Sequence, residues 1–160
     1  MKDFFKRSQS AIPAGKAALA GVGGAVAIAI AGLPAELTNV PLLMAPFGAS
    51  CVLLFSAATS PFSQPANVIF GHALSALIGL VMLALLPATW WAAAIAVGLA
   101  IGLMAALRVT HPPAGANPLV IFVAQPGFDF LLFPVTAGAV LLVLVAIAFH
   151  RMNGVAYPAK

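Results

Sequence analysis

The sequence predicts an all-α, polytopic membrane protein of about six membrane segments, set out as two inverted repeats of three, each with one interrupted (broken) helix. Three observations carry this reading. Hydrophobic residues make up 63% of the 160 and charged residues 6%, whereas a soluble domain carries about 25% charged residues. Most apolar runs are about 17–20 residues long, enough to cross a hydrocarbon core. A short proline- and glycine-containing motif interrupts two of these stretches at matching places.

The chain divides into a basic cytoplasmic segment at 1–16, a single transmembrane domain at 17–150, and a cytoplasmic tail at 151–160. The repeats run over about 17–86 and 90–150. Lys2, Lys6 and Arg7 precede a break at Ala11-Ile12-Pro13, and the apolar run after Lys16 is too long for a signal-peptide core. Phe4 and Phe5 can dip into the interface.

Ala17 to Leu33 is the first span, and Ala20, Gly21, Gly24 and Ala25 form small-xxx-small pairs for close helix approach. Pro34 to Asn39 reads as a loop carrying Glu36. Leu42 to Thr59 is the second apolar stretch, broken by Pro46 and Gly48. Ser60 to Pro65 is a loop, and Val68 to Leu86 is the third span, with His72 inside it. After a turn at Pro87–Thr89, Trp90 and Trp91 sit where an interfacial aromatic belt would lie. The fourth span has a Gly98-xxx-Gly102 packing face and ends at Arg108. Phe130 to Phe149 is the last span, and His150 and Arg151 read as a stop. Cys51 reads as a small packing residue.

Between the last two spans lies His111-Pro112-Pro113-Ala114-Gly115-Ala116-Asn117-Pro118. The proline pair disfavours helical backbone just before it and removes two donors. Gly115 permits unusual backbone angles. Asn117 before Pro118 reads as an N-cap and first helical residue, opening a short helix to Gln125. Non-helical backbone at membrane depth is tolerated only when buried in protein or lining a cavity. The short helix crosses only if extended backbone from Arg108 to Ala116 supplies the other half, at roughly 3.3 Å per residue; otherwise it is re-entrant. With six crossings and the N-terminus inside, all seven Lys and Arg fall on the cytoplasmic side, as the positive-inside rule prefers.

The repeat is visible in residues. Pro46-Phe47-Gly48-Ala49-Ser50 precedes Cys51-Val52-Leu53-Leu54-Phe55, and Pro113-Ala114-Gly115-Ala116-Asn117 precedes Pro118-Leu119-Val120-Ile121-Phe122. Paired interrupted segments in two halves of a membrane protein point to a midplane binding site. Two helix N-termini facing one region offer free N–H groups and positive dipole ends, which suit an anion. The candidate site is therefore Pro46, Gly48, Ala49, Ser50, His72, His111, Pro113, Gly115, Ala116 and Asn117, taking a small inorganic anion. His111 either binds the anion when protonated or shuttles a coupled proton; the alternative is a backbone hydrogen bond at a turn. His72 either faces the same cavity or makes an interhelical bond. Asn67 reads as a cap for the third span or as lining the path, and Arg108 as a snorkelling end or a guide for anions at the entrance.

No catalytic residue, metal or cofactor is expected, because three histidines without carboxylates in the spans make a poor catalytic set. Nucleic acid is not expected, since the basic residues form no patch with aromatics. The lipid bilayer is the expected surroundings. The Gly/Ala faces of the first and fourth spans leave room for a homo-oligomer. A membrane-embedded interaction or sensory subunit, and an anion channel in place of a carrier, stay open.

The chain closely resembles the HPP family of integral membrane proteins. The resemblance rests on His111-Pro112-Pro113 through Ala116, on Ala45-Pro46-Phe47-Gly48-Ala49, on Gln64-Pro65 with Asn67-Val68-Ile69, and on Gly71-His72. Members in plants and cyanobacteria are associated with nitrite transport across chloroplast or cell membranes. The resemblance implies a bacterial-type inner-membrane protein moving nitrite or a similar anion. The family is often described with about four spans, against the six read here. Where its pattern has a basic residue after Gln-Pro, this chain has Ala66, which leaves the choice of anion open.

Overall fold

The computed structural model describes residues 5–7, 9–38 and 42–159. The expectations for Lys2, Phe4, Asn39 and Lys160 lie outside the described residues. Every regular element among the described residues is helical. The α-helices are α1 (Ala14–Thr38), α2 (Pro46–Ser56), α3 (Pro65–Leu85), α4 (Trp90–Ala106), α5 (Asn117–Ala124) and α6 (Ala137–Met152). Among the described residues, three helical stretches are long and apolar enough to cross a membrane: Ala14–Pro34, Pro65–Leu85 and Phe128–Met152. Pro46–Ser56, Trp90–Ala106 and Pro112–Ala124 are apolar but shorter.

Several boundaries differ from the sequence reading. α1 runs through Pro34 to Thr38 rather than ending in a loop; the Ala-Glu-Leu that follows is strongly helix-forming and outweighs one missing donor. α2 starts at Pro46, so the proline opens this helix instead of breaking one. α4 stops because Arg108 adopts a left-handed φ of 61°, which lets the Val109 N–H reach back to the Met104 carbonyl at 2.9 Å.

The backbone after Arg108 is extended only briefly. His111 has φ −130° and ψ 101°, and a tight 3-10 turn then covers Pro112–Ala116 and leads straight into α5. A half-crossing of extended chain from Arg108 to Ala116 is therefore not formed. Counting five 3-10 and eight α residues, the segment rises only about 22 Å. Asn117 is the first residue of α5, not its cap, and its side chain makes no capping bond. The last span also has a break that the sequence reading missed. The chain turns at Phe128–Leu131, opens into a wide turn at Leu132–Thr136 with extended backbone at Phe133, and only then enters α6.

Small residues set the packing, though not all of those expected. Gly98 and Gly102 face outward with nothing within 4 Å of a built Cβ. The packed stripe of α4 is instead Ala92, Ala96, Ala100 and Met104, at four-residue spacing. On α1 the close approach is made by Gly23, against Phe55 and Phe149, while Gly21 meets nothing.

Contacts fix the helix directions. Cys51 of α2 lies against Gly24 of α1, and Ser56 shares a groove with Lys16 and Leu19, so α2 starts about halfway along α1 and runs back beside its first half. α6 places Gly138 against Phe47 and His150 against Leu54, so it runs parallel to α2. α5 follows α3, with Asn117 at His72 and Ile121 at Gly79. α2 and α5 therefore start close together and run in opposite directions. The beginning of α1 and the end of α6 share one face, where Lys16, Leu19, His150 and Asn153 line a groove of about 330 Å³.

On that face the tail is packed down. His150, read from the sequence as a cytoplasmic stop, is buried and bonds the Leu54 carbonyl through Nε2 at 2.8 Å. The Tyr157 hydroxyl donates to the Ser63 carbonyl at 2.8 Å, and Gln64 accepts from the Ala159 N–H. The loop at 57–64 is thus held by the residues after α6. Burial raises the Tyr157 phenol above its ordinary value of 10.0. A raised folded value means that the contact is fully present below pH 10 and is lost as pH climbs towards that value, because a phenolate cannot donate to a carbonyl. Thermal unfolding should therefore become less favourable to the folded state above pH 10 in the native chain and not in Tyr157→Phe. Superimposable pH profiles for the two proteins would remove this contact from the account.

Candidate functional site

One face of α3 carries Asn67, Gly71, Ser75 and Gly79, at four-residue spacing. This stripe seats the broken segment. A Cβ at Gly71 would stand 2.8 Å from the His111 Cβ and 2.9 Å from the Val109 carbonyl oxygen. A Cβ at Gly79 would stand 3.0 Å from the Pro118 Cα. The two glycines let non-helical backbone lie directly on the helix. The two polar members of the stripe each bond a carbonyl of the segment, and that of Ala114 also accepts from the Asn117 N–H. Asn67 Nδ2 donates to the Thr110 carbonyl at 2.9 Å, and Ser75 Oγ to the Ala114 carbonyl at 2.6 Å. Asn67 is thus a clamp on the segment, not the cap that was expected. Irregular backbone inside an apolar core needs such partners.

Against this seat, three chain segments bring four polar side chains together. Ser50 stands one turn into α2, His72 on α3, His111 just before the 3-10 turn, and Asn117 at the start of α5. All four are fully buried. Ser50 Oγ lies 2.8 Å from His72 Nε2 and 2.8 Å from His111 Nε2. His111 Nδ1 lies 2.7 Å from the Phe62 carbonyl oxygen. Asn117 Nδ2 donates to the His72 carbonyl at 3.0 Å and lies 3.2 Å from His72 Nδ1, while its Oδ1 lies 3.3 Å from the same nitrogen. The edge of Phe47 meets the His72 ring, centroids 5.1 Å apart.

The network assigns the protons. A carbonyl only accepts, so His111 carries its hydrogen on Nδ1 and donates it to Phe62. Its Nε2 is then bare and accepts from the Ser50 hydroxyl. Ser50 has one hydrogen; its other contact, to the Pro46 carbonyl at 3.3 Å, is the weaker competitor. With that hydrogen committed, Ser50 must accept from His72, so His72 carries its hydrogen on Nε2. His72 Nδ1 is bare and accepts from Asn117 Nδ2. The result is one directed chain of neutral groups: Asn117, His72, Ser50, His111, Phe62. Among the described residues every buried side-chain nitrogen and oxygen has a partner.

The site is narrower than the sequence reading had it. Ser50, His72, His111 and Asn117 meet, and Pro46 and Pro113 are buried beside them. Gly48 and Ala49 are exposed and point away from the cluster; Gly48 lines the open groove between α1 and α2. Gly115 and Ala116 are partly exposed, and a Cβ at Gly115 would meet nothing within 4 Å. The first N–H groups of α2 are already taken, Phe47 by the Met44 carbonyl and Gly48 by that of Ala45. Free backbone donors are therefore not the main feature here; side chains are. His72 is seven residues into α3, about 10 Å from its start and about 20 Å from its end. The cluster thus lies about a third of the way along the helix, nearer the face that holds the beginning of α1 and the end of α6, rather than at its middle. The reading of His111 as only a turn-stabilising residue is too small, because it also bonds Ser50 on α2. The four-residue stripe of Asn67, Gly71, Ser75 and Gly79 was missed, although its spacing is visible in the sequence.

Comparison with known proteins agrees with a membrane role. Two transmembrane proteins of Dictyostelium discoideum are similar to the chain. One is 36% identical over 118 residues, covering 69% of this chain and 41% of the relative. The second is 37% identical over 117 residues, covering 68% and 38% respectively. The chain spans about two fifths of the length of these relatives. No solved structure matches it. The family model described as HPP, transmembrane region, matches residues 9–158, which include every member of the Ser50–His72–His111–Asn117 cluster, and the chain belongs to the HPP family of transmembrane proteins.

Proposed function

We propose that the protein moves a small inorganic anion, nitrite in the first instance, across the cell inner membrane, and that the buried cluster of Ser50, His72, His111 and Asn117 is where the anion is held in passage. The observation that carries this is the placement of two imidazoles, a hydroxyl and an amide between the starts of two short helices that run in opposite directions. Burying such groups in an apolar core costs several kcal/mol unless they are paired, and ionisable groups at membrane depth are functional by default. The opposed directions of α2 and α5 suit two inverted halves, each with one broken helix. The beginning of α1 and the end of α6 share one face, which suits an even number of crossings with both of these helix ends cytoplasmic. The cluster is closed on all sides, which favours a carrier with an occluded state over a fixed pore.

Purified protein in liposomes tests this by nitrite uptake above the leak of empty vesicles, with chloride, nitrate and formate as competitors. The native chain should take up nitrite. His111→Ala should lower the rate by about tenfold or more, the worth of one strong polar contact. Gly115→Ala should leave it unchanged, since its Cβ meets nothing. Correctly inserted native protein that moves none of these anions would sink the transport reading.

A further inference from the structure

We propose, resting on the transport reading, that His72, Ser50 and His111 form a proton relay and that the ion carried with the anion is a proton. Each of the three has a donor and an acceptor, which is what a relay needs, and the two links are both 2.8 Å. A proton arriving at the bare His72 Nδ1 makes a cation there. His72 then passes its Nε2 hydrogen to Ser50 Oγ as Ser50 passes its own to His111 Nε2. The positive charge moves from one imidazole to the other, no heavy atom travels, and one proton is in transit throughout. The cation gives an otherwise neutral site its attraction for an anion, so anion and proton enter and leave together.

The two ends of the relay differ. At His72, Asn117 offers Nδ2 at 3.2 Å and Oδ1 at 3.3 Å to the same nitrogen, so it can meet Nδ1 with or without a hydrogen. At His111, Nδ1 faces only the Phe62 carbonyl at 2.7 Å. Once His111 releases its Nδ1 proton, two acceptors confront each other at that distance, and the Pro61–Ser63 turn has to separate from the imidazole. Proton release is thereby tied to movement of the loop at 57–64, on the face that holds the beginning of α1 and the end of α6. That loop is held by Tyr157 through Ser63 and by Gln64. The elements packed against the pair bring few other titratable groups. They are Cys51 on α2, Arg108 ahead of His111, Asp129 in the turn before α6, and His150 and Arg151 near the end of α6; none hydrogen-bonds either imidazole. The relay is set by its own members.

The test is nitrite uptake and proton uptake measured together in liposomes that hold a trapped pH indicator, with an imposed pH gradient as driving force. The native chain should accumulate nitrite and protons in step. Ser50→Ala should lose gradient-driven uptake by about tenfold or more, and Ser50→Thr, which keeps the hydroxyl, should restore it. Nitrogen NMR of the histidine-labelled full chain in lipid supplies a readout independent of flux. It should show His72 with its hydrogen on Nε2 and His111 with it on Nδ1, beside His150, whose Nε2 hydrogen goes to the Leu54 carbonyl. Ser50→Ala that still folds and keeps the native proton-to-anion ratio overturns the relay and leaves anion transport standing. Native protein that moves no anion but carries protons in a Ser50-dependent way supports the relay and overturns the anion reading. If neither species moves, both readings fail. His72 and His111 in the same tautomer in the native chain would also overturn the relay.

Discussion

Gly71→Ala is expected to destabilise the protein by about 1–3 kcal/mol, the usual cost of overpacking a filled interior, and to abolish nitrite uptake. The added methyl would sit 2.8 Å from the His111 Cβ and 2.9 Å from the Val109 carbonyl oxygen. Neither atom is the tip of a flexible side chain. Relief requires the whole segment from Val109 to His111 to lift off α3, and His111 then loses its register with Ser50. Thermal unfolding of the purified protein and uptake in liposomes read the two consequences separately. Gly98→Ala is the matched control, because the space there is open. It should stabilise by about 0.5–1 kcal/mol, as alanine normally does over glycine inside a helix. If Gly71→Ala unfolds with the native chain, the close seating of the broken segment is wrong.

Asn117→Leu is expected to act through His72. The side chains are similar in volume, so the loss is polar rather than steric. It removes the amide that donates to the His72 carbonyl at 3.0 Å and supports its Nδ1. A buried imidazole nitrogen is left without a partner, at a cost of about 1–3 kcal/mol. The pair Asn117→Leu and His72→Leu forms a double-mutant cycle. The double variant should be less destabilised than the sum of the singles, because the second change removes the orphaned group. Strict additivity would show that Asn117 and His72 do not support each other.

Much of this could be read from residues alone, and the misses share a cause. Proline positions marked where helices start, yet Pro34 lies inside α1 and Pro134 inside a wide turn before α6. A proline reports a missing donor; whether the chain bends, stops or continues depends on what packs around it. Asn117 has the residue type of a cap, but its side chain turns to His72, because a buried imidazole is a stronger claimant than a helix start already covered by the preceding 3-10 turn. Gly98 and Gly102 have the spacing of a packing face and point outward, while Gly71 and Gly79 carry the close approach. Spacing identifies a face of a helix and cannot say which neighbour it meets.

The sequence by itself determined the class of protein, the family, the prolines at which the two short helices begin and all four members of the cluster as candidate site residues. These follow from composition and from local backbone chemistry, which a chain carries wherever it folds. Only the tertiary structure decided that Ser50 stands between two imidazoles 22 and 61 residues away, that the Phe62 carbonyl fixes the His111 tautomer, and that Tyr157 holds the neighbouring loop. A directed chain of hydrogen bonds depends on which donor meets which acceptor to within a few tenths of an ångström, and that is settled by how the helices cross, not by the order of residues along any one of them.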